Sequence, residues 1–135
     1  MSFPPFPSRP AWAVALALTV IAASHRSAVA APSVINFDKV AHFCVYGLLA
    51  TLVQRALPGR RAPLVAVLVV SLFGVTDEVH QAFVPGRSSE VADWVADTLG
   101  AILATSLYAG WGWYRTLLER PLVVPWRRRL STPPA

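Results

Sequence analysis

Asp38, His42 and Tyr46 recur at a spacing of four, which on a helix puts a carboxylate, an imidazole and a phenol on one stripe. Asp38 also stands where an N-cap would, its carboxylate beside free backbone N–H groups. A denser group follows: Asp77, Glu78, His80 and Gln81, then Arg87, Glu90, Asp93 and Asp97. Asp93 and Asp97 share a helical face, and like charges at that spacing repel unless something neutralises them. Arg87, Lys39, a metal ion or a proton would do so. Asp77, Glu78 and His42 are the residue types that serve as general acids and bases, and carboxylates beside apolar walls have displaced pKa values. The same residues also fit a plain structural role, with Arg87 bridging in bidentate fashion to a carboxylate across two helix ends. An oxygen-rich set of Asp38, His42, Asp77, Glu78, His80, Asp93 and Asp97 is of the kind that takes a divalent cation. No spacing matches a zinc signature such as H-E-x-x-H, so no metal ligand and no cofactor is assigned. There is no serine elbow, P-loop or dinucleotide fingerprint, since Gly86 and Gly100 are isolated.

These residues sit at the ends of apolar blocks, and the blocks decide the surroundings. The chain has 135 residues, 55% hydrophobic and 14% charged. A soluble domain usually has about a quarter charged residues, so lipid is the expected environment. The net charge of +5 is spread as short arginine clusters between apolar blocks, which excludes a basic nucleic-acid face. Cys44 is the single cysteine, so an internal disulfide is excluded; its apolar neighbours suggest an ordinary buried thiol.

Four apolar blocks cover residues 11–23, 40–53, 63–83 and 95–113. The first ten residues hold four prolines and are expected to be non-helical, and the tail beyond Pro121 is similar, with Arg127, Arg128 and Arg129. Trp94 at one end of the last block, and Trp111, Trp113 and Tyr114 at the other, fit a membrane-interface belt. A span needs about 20 residues. The third helix must therefore take Asp77, Glu78, His80 and Gln81 into its last turns, and Asp97 lies about one turn inside the fourth. Pro85-Gly86 should end the third helix, with glycine free to take positive φ. The expected fold class is all-α, a polytopic bundle of four transmembrane helices. Residues 1–10 form a cytoplasmic lead, 11–115 the membrane domain and 116–135 a cytoplasmic tail.

In this arrangement one side receives nine arginines (Arg9, Arg55, Arg60, Arg61, Arg115, Arg120 and the tail triplet) and the other only Arg26, Lys39 and Arg87. The positive-inside rule then puts both termini in the cytoplasm. Every carboxylate except Glu119 falls on the opposite face. The first block has a rival reading as a secretory signal, with Ala28-Val29-Ala30 imitating a cleavage site. Asp38-Lys39-Val40-Ala41-His42 also resembles Asp93-Trp94-Val95-Ala96-Asp97, as two helical hairpins of one ancestry would.

The motifs Asp38-Lys39-x-x-His42-Phe43-x-x-Tyr46-x-x-Leu49, Asp77-Glu78-x-x-Gln81-x-Phe83-x-Pro85-Gly86-Arg87, Asp93 and Gly100 together resemble the VanZ-like family, over about residues 38–105. The resemblance implies a multi-pass protein of the bacterial inner membrane, related to the accessory protein of teicoplanin resistance. The family often has Asn where this chain has Asp97. The expected function is recognition or modification of a lipid-linked or cell-wall amphiphile at the outer interface, with an effect on glycopeptide sensitivity. Asp38, Lys39, His42, Tyr46, Gln81, Arg87, Asp93 and Asp97 would bind the ligand, Arg87 and Lys39 holding an anionic group. Asp77, Glu78 or His42 would carry any catalysis. A non-catalytic, partner-binding bundle is the alternative. A small transporter is a third, disfavoured because only Ser71 is polar between Val65 and Val75. The bilayer is the expected partner, and nucleic acid is not.

Overall fold

The computed structural model describes residues 9–26 and 37–119, all of whose regular structure is helical. The helices are α1 (Arg9–Ser24), α2 (Phe37–Ala56), α3 (Ala62–Gln81), α4 (Val91–Gly110) and α5 (Gly112–Glu119). Residues 1–8, the Ala28-Val29-Ala30 site and the tail with Arg127 to Arg129 lie outside the described residues.

The helices start earlier than the apolar blocks do. α1 includes Pro10, which a first turn tolerates because its missing N–H would have had no partner. Asp38 is inside the first turn of α2 instead of at its cap, where it still favours the helix dipole. Asp93 and Trp94 lie within α4. α3 ends at Gln81, earlier than the Pro85-Gly86 stop expected, and the chain then turns through Pro85-Gly86, where Gly86 takes φ 81°.

α2 packs most extensively on α4, and α3 lies against both. Lys39 meets Asp93, His42 meets Asp97, and the glycines Gly47 and Gly100 adjoin. Positions rising along α2 thus meet positions rising along α4, so these two helices are parallel and α3 returns between them. Contact is close enough that a Cβ on Gly100 would collide with the Phe43 carbonyl oxygen. Small residues let helix backbones approach in this way where lipid gives no hydrophobic drive between helices. The core holds Ala13 and Val20 of α1, Tyr46, Leu49 and Ala50 of α2, Val70 of α3 and Ala101 of α4.

The outside is apolar. Leu18, Val40, Leu48, Leu64, Leu68, Leu72, Leu99 and Leu103 are all exposed. Cys44, expected to be buried, is exposed too, beside the exposed Val40, Val45 and Leu48 of the same helix. Among the described residues only Ala62–Gln81 is by itself long and apolar enough to cross a membrane, and α1 is a shorter apolar helix. α2 falls short because it includes Asp38, Lys39 and Arg55, and α4 includes Asp93 and Asp97.

Candidate functional site

The start of α2, the end of α3 and the start of α4 lie together, so residues far apart in sequence meet at one end of the bundle. Lys39 is the hub of the outer layer. Its Nζ donates to Asp38 at 3.0 Å, Glu90 at 2.9 Å and Asp93 at 3.1 Å. Asp93 is buried, whereas Asp38 and Glu90 stand at the exposed rim. Lys39 holds the Glu90 carboxyl below the ordinary glutamate range by donating to it. Glu90 itself went unremarked in sequence as a Lys39 partner because the offset between α2 and α4 is set only by packing.

One turn deeper, His42 Nδ1 lies 2.9 Å from Asp97 Oδ1, and Asp97 is fully buried. The two acidic residues expected to repel along α4 thus have separate partners, Asp93 in Lys39 and Asp97 in His42. Deeper again, Tyr46 stacks on His42 with ring centroids 5.7 Å apart. Its hydroxyl donates to Asp77 Oδ2 at 2.9 Å, and Gln81 Nε2 donates to the same oxygen at 2.9 Å. Tyr46 is nine residues into α2, about 14 Å along the helix at its usual rise. Glu78 Oε2 accepts from the Glu90 backbone N–H at 2.7 Å and so fixes the residue that precedes α4.

Arg87 departs from the structural expectation. The ion pairs among the described residues belong to Lys39 and His42, and Arg87 takes part in none. Its Nε is buried without a partner. Arg87 instead lines an open cleft of about 150 Å³ with His42, Tyr46 and Asp77, whose other walls are Val20, Ala23, Ser24, Ala41 and Val45. The arrangement offers a lone guanidinium, a carboxylate and an imidazole at the mouth of an apolar groove. α1 closes this groove, a contribution that no motif signalled. His25, in the turn just past α1, also approaches His80 of α3, with ring nitrogens 3.4 Å apart.

Trp94 is not a free interface anchor. Its Nε1 donates to Ser71 of α3 at 3.1 Å, and Ser71 is in turn 2.9 Å from Thr98. The one polar side chain in the middle of α3 is therefore satisfied inside the bundle.

No curated protein and no solved structure matches the chain. A family model described as VanZ/LLP1 matches residues 5–114, which takes in α1 to α4 and every residue of the site just described. On that match, across most of its length, the chain belongs to the VanZ/LLP1 family.

Proposed function

We propose that this is a multi-pass membrane protein with four spanning helices, both termini in the cytoplasm and the polar end outside. There it binds the anionic headgroup of a lipid-linked or cell-wall amphiphile. The observation that carries the reading is the Arg87 cleft. Lys39 is occupied by three carboxylates, which leaves Arg87 as the site's cation without an ion pair. A guanidinium is suited to two-pronged recognition of phosphate or carboxylate. Val20, Ala23 and Val45 beside it would take the first part of an apolar chain. Asp77, held by Tyr46 and Gln81 and lining the same cleft, would serve as the base in this reading.

Support for several spans comes from the apolar residues exposed on α1, α2, α3 and α4 alike, which water would not tolerate over so wide a surface. In α2 and α4 the charges cluster at helix ends or face inward, where insertion is least costly. A transporter is disfavoured by Ser71, whose bonds to Trp94 and Thr98 leave no free polar group at mid-helix.

The test is lipid analysis by mass spectrometry of the purified full chain beside its Arg87→Ala form, with glycopeptide sensitivity of the producing cells in parallel. An anionic amphiphile retained by the parent and lost from the variant at equal folded yield supports the proposal. Equal lipid content and unchanged sensitivity would favour a purely structural bundle.

A further inference from the structure

His42, Glu78 and Asp93 come from three different helices, yet each places a ligand-type atom within 4.8 Å of the other two. A cation with bonds of about 2.1 Å holds its donors about 3–4 Å apart, so small side-chain adjustments would close this set. We propose that these three residues bind one divalent transition-metal cation, of the zinc or manganese kind.

Three observations carry this beyond a mere gathering of acids. Glu78 is 7% exposed and its Oε1 is buried with no partner, while Oε2 is held by the Glu90 N–H. Oε2 is anchored and Oε1 has no donor in hydrogen-bond geometry, although the Ser89 hydroxyl also interacts with this carboxylate. His42 is oriented as metal-binding histidines usually are. With Nδ1 2.9 Å from Asp97 Oδ1, a neutral imidazole that donates there would carry its lone pair on Nε2. A second set of comparable geometry, Asp38, Glu90 and Asp93, already has its cation, because these are the three carboxylates to which Lys39 Nζ donates. In the inner set Lys39 reaches Asp93 alone, and neither Glu78 nor His42 is paired with a lysine or arginine among the described residues. Imidazole with two carboxylates suits zinc or manganese better than calcium, which prefers oxygen alone. This inference goes beyond the amphiphile proposal and does not depend on it, since its readout is the metal alone.

The experiment uses the full chain in detergent, stripped with a chelator and titrated with Zn²⁺ by calorimetry and with Mn²⁺ by electron paramagnetic resonance. One equivalent should bind with micromolar or tighter affinity. Glu78→Gln and Asp93→Asn each keep an oxygen acceptor for the Glu90 N–H and for Lys39, so folding should survive, and each should weaken binding at least tenfold. Asp97→Asn should weaken it about 10–100-fold through the orientation of His42. Asp38→Asn should change it less than twofold. Absence of binding at millimolar metal, or parent-like binding by folded Glu78→Gln and Asp93→Asn, would overturn the assignment. So would a loss in Asp38→Asn equal to that in Asp93→Asn, which would move the cation to the exposed set.

Discussion

His42 Nδ1 and Asp97 Oδ1, 2.9 Å apart, join α2 to α4 at a point where the carboxylate has no exposure at all. Removing the imidazole leaves a buried charge without its partner. His42→Ala should therefore cost about 3–5 kcal/mol, and Asp97→Asn, which keeps an oxygen for the imidazole N–H, much less. A double-mutant cycle with His42→Ala and Asp97→Ala, followed by unfolding in mixed detergent, checks this. The double variant should regain part of the loss. Additive costs would mean the two groups do not interact.

Tyr46→Phe removes one of the two donors to Asp77 Oδ2 and leaves Gln81. The expected cost is about 1–3 kcal/mol, because the oxygen is buried, with little change in helix content. The same unfolding assay measures it. If the phenylalanine form proved as stable as the parent, the hydroxyl would not be holding Asp77.

Gly100→Ala places a methyl against the backbone carbonyl of Phe43, which cannot turn aside as a side chain can. Separating α2 from α4 would cost about 1–3 kcal/mol or more and would loosen the whole polar end. Thermal unfolding should show the loss, and a cysteine pair across the α2–α4 contact should cross-link more slowly than in the parent.

Glu90 offers a pH test outside the helices. Lys39 lowers its folded pKa from the ordinary 4.5. A lowered acid contributes stability above the ordinary value and loses that contribution as pH falls through the depressed value. Titration of the Glu90 carboxyl carbon by NMR should therefore give a midpoint below the ordinary glutamate range. Lys39→Met should bring it back up. A midpoint unchanged by that substitution would remove the pairing.

Much of this was legible in the sequence where local rules applied. Pro85-Gly86 signalled the turn after α3, and the four-residue spacing put His42 and Tyr46 on one stripe, where their rings stack. The likeness of the segments beginning at Asp38 and Asp93 also has a spatial counterpart, since matched positions His42 and Asp97 face each other across parallel helices. Partner choice was not legible. Lys39 and Arg87 are both cations at neutral pH, and only the offset between α2 and α4 decides that Lys39 takes the carboxylates and Arg87 the cleft. Cys44 is exposed where its apolar neighbours imply burial, because burial rules for water do not apply on a face that lipid is expected to cover. α5 carries no apolar block of its own, and its Trp113 and Tyr114 were read as the end of the preceding helix.

Thiol labelling in intact cells tests most directly whether the two acidic stretches share the non-cytoplasmic face. In a Cys44→Ser background, Phe37→Cys and Ser88→Cys should both react with a membrane-impermeant maleimide, whereas Arg60→Cys should react only after permeabilisation. Labelling of positions 37 and 88 from opposite sides, or of position 60 alone from outside, would contradict the account.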